Sequence, residues 1–255
     1  MYREIAPPAD LAAVVACTWT SVASGGAILP DGCVDLVWRG DGLVVAGPAT
    51  QPAAGGPVGA SVFGVRFRLG AAGSALGLPA SELLDASVPV DAVWGAGVEE
   101  RVALGGLPAL LDELRARLAP VDPLARAAAL AMARPGARVD AVDLGVSERQ
   151  LRRRFVDAVG YSPKTLARVL RFQRFLALAA GEPLDGGEWA GGAARGDLAR
   201  LALDAGYADQ AHLTREARRL SGRTPAELVA NGATPAGERV RIVQDRAAPG
   251  AYRPA

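Results

Sequence analysis

An internal repeat in the second half of the chain constrains the fold more than any other sequence feature. The phrase DLGVS at 143–147 recurs as DAGYAD at 204–209, and a leucine follows the last residue of each phrase by four positions. Two further matching phrases, GYSP at 160–163 and GRTP at 222–225, start 62 residues apart. Each copy therefore predicts a helix that begins at an N-cap, ends at a glycine and is followed by a helix with proline in its first turn.

The residues at the predicted helix starts have the spacing of capping motifs. Ser147 precedes Gln150 by three residues, and Thr224 precedes Glu227 by three. In a capping box the first side chain accepts from the backbone of the fourth residue, whose own side chain reaches back. Ser162 is placed to cap the helix that starts at Pro163, which we predict to run to about residue 179.

The outward faces of the two repeated helices carry residue types that can read DNA bases. At about 100° per residue, Leu151 and Leu213 lie on inward apolar stripes, and arginine, glutamine and threonine lie on the opposite faces. Arginine can donate two hydrogen bonds to one guanine, glutamine can form two with one adenine, and a side-chain methyl group can contact the methyl group of thymine. The outward residues are Arg149, Arg152 and Arg153 on the first helix and Ala211, Thr214, Arg215 and Arg218 on the second, with Gln210 and His212 exposed in its first turn.

Charge is distributed unevenly along the chain. Residues 1–133 carry 8 basic and 13 acidic side chains, whereas residues 134–230 carry 16 basic and 12 acidic ones. The span 147–174 alone has eight basic side chains against two acidic ones. Such a cluster suits phosphate binding, although a solvated helix face would carry similar charges.

The residue pattern of the first half differs from that of the second and predicts mainly β-structure. Short β-rich runs at 14–20, 33–38, 43–46 and 62–69 are broken by glycine and proline. An amphipathic helix is predicted over 107–118, before the prolines of a linker. We therefore expect an α+β protein with a β-rich, barrel-like domain at 1–120, an all-α domain at 121–231 containing two helix-turn-helix units joined by a long helix, and a tail at 232–255.

The repeated motifs resemble those of the bacterial AraC/XylS-type transcription regulators. The stretch GYADQAHLTR at 206–215 with Thr224-Pro225 is similar to the second helix-turn-helix of that family, and GVS at 145–147 with the GYSP phrase is similar to the first. The resemblance covers about 138–229. It implies DNA contacts at Arg149, Arg152, Arg153, Gln210, Ala211, His212, Thr214 and Arg215. It departs from the family in a Gly-rich insertion at 181–196. The partners it implies are double-stranded DNA, a small-molecule effector and RNA polymerase, while a homodimer stays open because one chain already carries two recognition helices.

A weaker resemblance links the N-terminal half to a β-rich domain found in some of these regulators. In that family such a domain senses a small molecule or mediates self-association. Binding pockets are mostly apolar with a few polar groups, so the candidate ligand-binding residues are Trp19, Trp38, Arg66 and Arg68. Each tryptophan could equally be a core aromatic, and the two arginines, two residues apart, could share a solvated strand face.

The sequence lacks residues that other functional classes would need. Cys17 and Cys33 are the only cysteines and His212 is the only histidine, so we expect no metal site, no cofactor and no enzyme activity. A thiol-based DNA alkyl transfer coupled to regulation would need an activated cysteine. An interaction scaffold without DNA contact is the other alternative. No apolar run approaches a membrane span and no signal peptide is recognisable, so a cytoplasmic location is expected.

Overall fold

The computed structural model of the chain describes residues 2–133, 146–181 and 197–230. Two large hydrophobic cores organise these residues, one in the β-rich first half and one among the helices of the second half, and a small third cluster lies around Cys17 and Trp19. The predicted α+β class is confirmed.

Six strands of the first half form one antiparallel sheet in the order β1-β2-β7-β4-β5-β8, and a two-stranded ribbon pairs β3 with β6. The strands are β1 Arg3–Ile5, β2 Val15–Val22, β3 Ala27–Ile28, β4 Asp35–Trp38, β5 Leu43–Ala46, β6 Ala53–Ala54, β7 Ser61–Phe67 and β8 Ser87–Pro89. The ends of the four predicted strands fall within two residues of β2, β4, β5 and β7.

The sheet is open, so the barrel-like expectation needs correction. Strands β1 and β8 are its two ends, and no pairing joins them among the described residues. Alternating side chains still separate two faces, as the strand period of two requires. One face, which includes Leu36, Leu43 and Val65, packs in the same core as Val102 and Leu114.

The helices are α1 Ala72–Leu76, α2 Val90–Trp94, α3 Val98–Arg115, α4 Pro123–Ala133, α5 Glu148–Val159, α6 Pro163–Ala180, α7 Leu198–Asp204, α8 Gln210–Ser221 and α9 Pro225–Ala230, and a 3₁₀ turn spans Ala80–Leu83. Helix α3 differs from the helix predicted over 107–118. It starts earlier, is broken at Gly106 with φ of 62°, and ends at Arg115. The apolar stripe changes direction at the break and at Pro108. Helical periodicity therefore does not detect the part of α3 that precedes Gly106.

Helix α6 is the centre of the second core. Its buried Leu166, Val169 and Phe172 belong to the same cluster as Phe155 of α5 and Leu213 of α8. The prediction of a long joining helix from Pro163 is confirmed, and the helix ends at Ala180, where Gly181 adopts φ of 75°.

Some predictions fall on residues outside the described ranges. They concern the start of the first repeat phrase at 143–145, nearly all of the insertion at 181–196, and the tail at 232–255.

Candidate nucleic-acid interface

Helix α5 begins and ends as the repeat predicts. The Ser147 hydroxyl accepts a hydrogen bond from the Gln150 backbone at 3.3 Å, and the Gln150 side chain accepts from the Ser147 backbone at 3.3 Å, which completes a capping box. Gly160 ends the helix with φ of 95°. Leu151, Phe155 and Val159 are buried, so the opposite face points away from the core.

That opposite face presents three arginines to solvent. Arg149, Arg152 and Arg153 are all exposed. Arg152 forms an ion pair with Glu148 at 3.2 Å, in which both side chains are mostly exposed. An exposed pair of this kind contributes little and is easily exchanged for a phosphate or a base. Within the described ranges, Arg149 and Arg153 have no carboxylate partner.

Helix α8 presents the second candidate face. Asp209 caps it by accepting from the His212 backbone at 2.6 Å, and Leu213, Ala217 and Leu220 form its buried stripe. The side chains that remain exposed at its start are Gln210, Ala211 and Arg215. The two helices thus share their cap position, buried stripe and exposed face.

Two predicted reading residues of α8 are partly engaged within the protein. The half-buried ring of His212 lies edge-on to Tyr207, with centroids 5.2 Å apart, and its Nδ1 accepts from the Ala208 backbone at 3.5 Å. The Thr214 hydroxyl donates to the Gln210 carbonyl at 2.8 Å. Part of the His212 side chain is therefore in contact with the turn before α8. The Thr214 hydroxyl already donates its proton within the helix, so it can only accept a further hydrogen bond.

The second helix-turn-helix lies wholly within the described residues. Between α7 and α8, Gly206 adopts φ of 90°, and the Tyr207 amide donates to the Ala202 carbonyl at 2.9 Å. Ala205 and Tyr207 are buried in the turn. For the first unit, the segment that would hold its leading helix falls outside the described residues.

A bidentate ion pair connects the joining helix α6 to α8. The Arg168 guanidinium donates to both carboxylate oxygens of Glu216, at 2.6 and 2.9 Å, and both side chains are largely shielded from solvent. Burial tends to raise the pKa of Glu216, but the hydrogen bonds and charge of Arg168 outweigh it and hold that pKa below its ordinary value. Arg171 lies over the Tyr207 ring, 5.4 Å from its centroid.

These contacts change the charge count that the sequence suggested. Of the eight basic residues at 147–174, Arg152, Arg154 and Arg168 have carboxylate partners, two of which, Asp122 and Glu216, lie outside that span. The positive potential near α5 therefore rests mainly on the exposed Arg149 and Arg153, with the exposed Lys164 at the start of α6.

The four candidate ligand-binding residues lie in different environments. Trp19 and Arg66 are buried on one face of the sheet, whereas Trp38 belongs to the core on the other face and stacks on Phe63. Arg68 follows the end of β7 and its Nε donates to the Ala12 carbonyl at 2.6 Å. They do not line a common pocket.

The environment of Arg66 corrects the expectation of a solvated strand face. It is 5% exposed because β7 is a central strand, paired with β2 on one side and β4 on the other. Its guanidinium donates to Asp35 at 3.1 and 2.9 Å and to Asp31 at 3.0 Å. Arg66 is thus a buried ion-pair residue, and only its Nη1 lacks a partner among the described residues.

No three His, Cys, Asp or Glu side chains are grouped in a way that could hold a metal ion, within the ranges the structure describes. In those same ranges, no helix has both the length and the apolar character needed to cross a membrane.

Comparison with known proteins gives a match within the first half of the chain. Residues 3–89 match the model of a family described as a domain of unknown function, DUF6597. The match covers all eight strands of the first half. No curated protein matches the chain.

Proposed function

We propose that this protein is a transcription regulator of the AraC type, which binds double-stranded DNA by placing α5 and α8 in successive segments of the major groove. The observation that carries the proposal is the equivalence of the two helices. Each has a side-chain N-cap, a buried apolar stripe and an exposed arginine-bearing face, and both pack on α6. A helical bundle with a merely charged surface gives no reason for this repetition.

The dimensions of the joining helix suit this mode of binding. Helix α6 has 18 residues, and at about 1.5 Å per residue it is about 27 Å long. Recognition helices that occupy successive major-groove segments are about 34 Å apart, the length of one DNA turn. A rigid helix on which both recognition helices pack can hold them in a fixed relative position.

Regulation by a small molecule, contact with RNA polymerase and action in the bacterial cytoplasm belong to the same proposal, and they rest on the resemblance. The cleft between the two halves, lined by Gly32, Phe67 and Val159 among others, has room for about one water molecule. An effector that acts at this boundary would have to open it.

The chemistry of the thiols argues against the alkyl-transfer alternative. Burial raises the pKa of Cys17 to about 12, and burial also raises the pKa of Cys33 well above its ordinary value. Arg66 is the nearby cation, but Asp31 and Asp35 already neutralise it. A thiol that stays protonated at neutral pH is a poor nucleophile, so a regulator without alkyl transfer is favoured.

The proposal predicts DNA binding with a steep dependence on salt. The full chain is incubated with a random duplex library, and the affinity for the selected sites is measured by fluorescence anisotropy at several salt concentrations. If Z phosphates are neutralised, the logarithm of the affinity falls with the logarithm of the salt concentration with a slope of about −0.9Z.

The matched variants are Arg149→Ala combined with Arg153→Ala, and Arg3→Ala as the control. Arg3 is an exposed arginine on β1, far along the chain from either recognition helix. We expect the double variant to lose affinity and the control to retain it. Failure to select any duplex at low salt would overturn the proposed function.

A further inference from the structure

The two halves of the chain meet over a buried contact, in which α1 and the 3₁₀ turn pack on α5 and one short loop packs on α6. Residues 29–33, here called the Asp31 loop, connect the β3 ribbon strand to β4. Leu29 is buried in the helical core together with residues of α4, α5 and α6, although it belongs to the first half of the chain. The loop therefore belongs to the packing of both halves.

On its helical side, the Asp31 loop is bound by α6. The Gln173 side-chain amide donates to the Pro30 carbonyl at 2.5 Å, and Gln173 is only 4% exposed. Gly32 adopts φ of 86°, and a Cβ at this position would lie 3.5 Å from atoms of Leu166, Leu170 and the Tyr161 hydroxyl. The loop thus lies directly against the joining helix and the turn that follows α5.

On its other side, the same loop is bound by the sheet. One oxygen of the Asp31 carboxylate accepts from Arg66 at 3.0 Å, and the other accepts from the Cys33 backbone at 2.9 Å. Arg66 is held in turn by Asp35 of the neighbouring strand. Removing one member of such a buried set leaves another charge without its partner, so the set favours a single loop position.

We infer that the Asp31 loop, beside the direct contacts of α1 and the 3₁₀ turn with α5, is an element through which the β-rich half fixes the orientation of the first recognition helix, with Asp31 and Gln173 as positioning residues. A change at the Arg66 side of the sheet moves Asp31, and the loop transmits that change to α6 and to the end of α5. Helix α8 is bound to a different face of α6. Its Glu216 pairs with Arg168, which at about 100° per residue lies roughly opposite Leu166 and Gln173 around α6.

The test uses full-length variants and hydrogen exchange measured by mass spectrometry. Gln173→Met removes the donor and keeps the length of the side chain, while Asp31→Asn removes the charge and keeps its shape. Gln51→Met and Asp41→Asn make the same changes at exposed positions of the β-rich half and are the controls. We expect both loop variants to accelerate exchange of the α5 amides by about 5- to 30-fold and to leave the α8 amides unchanged.

A second readout separates positioning from general stability, and it rests on the proposed function. At a temperature where circular dichroism shows each variant folded, discrimination among single-base operator changes should fall at the base pairs that depend on Arg153. It should be retained at those that depend on Arg215. Unchanged α5 exchange in Gln173→Met and Asp31→Asn, relative to the controls, would overturn the inference. If the wild-type chain binds no DNA, the proposed function fails while the exchange experiment still decides the coupling.

Discussion

Individual arginines in this protein differ by their partners more than by their positions in sequence. Arg66 is buried between two carboxylates, Arg168 grips Glu216 at two points, and Arg152 has only a solvated pair with Glu148. The first two are structural, since their guanidinium groups are already paired with shielded carboxylates. Exposed arginines with weak pairs or none are the ones free to exchange solvent for a base edge.

Base reading should therefore be separable from general attraction to DNA at the level of single residues. Changing Arg152, Arg153, Gln210 or Arg215 to alanine should cost about 1–3 kcal/mol on the cognate site and relax the preference at one or two base pairs. The base pairs affected by the α5 pair should lie about one DNA turn from those affected by the α8 pair. Affinity is measured against a panel of single-base operator mutants.

Alanine is a sound replacement at these positions because it has the best helix propensity and the side chains lie off the buried stripes. Circular dichroism serves as the folding control, and Arg3→Ala provides the matched loss of one charge elsewhere. Equal losses across the whole panel for all four variants would mean that the reading face has been placed incorrectly.

Among the elements, the contact between α6 and α8 sets how α8 is held. Arg168 and Glu216 are both less than one quarter exposed, so their pair is more shielded than the exposed pair between Arg200 and Asp204 within α7. A shielded two-point pair between helices resists rotation of one helix against the other, because both hydrogen bonds have fixed geometry.

Arg168→Met should cost about 1–3 kcal/mol of unfolding free energy at neutral pH, because it leaves the Glu216 carboxylate shielded and without its donors. Arg168 keeps the Glu216 pKa below its ordinary value near 4.5. The stabilisation is therefore present above the unfolded pKa and is lost as the pH falls through the folded pKa. The free-energy difference between wild type and variant should shrink in acid, as measured by urea unfolding at a series of pH values.

The control for this pair is Arg200→Met, which removes an exposed i,i+4 partner from Asp204 and should cost only about 0.3–0.5 kcal/mol. A variant Arg168→Met that is as stable as Arg200→Met at neutral pH, or whose deficit persists unchanged in acid, would contradict the role assigned to the pair.

In the whole molecule, the β-rich half packs directly against the end of α5. Gly160 and Gly222 occupy equivalent positions in the two repeats, and both end their helices with positive φ. A Cβ at Gly160 would overlap Pro48 and press on the Ala80 carbonyl, whereas a Cβ at Gly222 would meet nothing within 4 Å. Glycine is therefore needed at position 222 for its backbone conformation alone. At position 160 it is needed for its backbone conformation and also because a side chain would not fit.

This pair gives a direct measure of the contact between the halves. Gly222→Ala should cost about 1–2 kcal/mol through the left-handed backbone alone. Gly160→Ala should cost the same plus about 1–3 kcal/mol for overpacking against the first half. Chemical denaturation of both full-length variants measures the difference. Equal losses would show that the two halves do not press on each other at this point.

Local chemistry made much of the helical half predictable. Caps such as Ser147 with Gln150, the stripe of Leu151 and Phe155, and the glycine that ends each helix depend on neighbours within four residues, so one reading of the chain finds them. The same holds for the strands β2, β4, β5 and β7, whose alternating residues and turn signals lie close together in sequence. The exposed faces of α5 and α8 follow from these periods.

The partners of the polar side chains could not be read in this way. Gln173 and Pro30 are 143 residues apart, Arg168 and Glu216 are 48 apart, and Arg66 reaches Asp35 across 31 residues. Whether a charge is solvated, paired or buried depends on which distant segments the fold brings beside it, and many sequences of the same pattern would allow other pairings. Periodicity thus decided which face of each helix points outward. Only tertiary packing decided which arginines on that face are unpaired, because it determines whether a carboxylate distant in sequence lies close enough to form an ion pair.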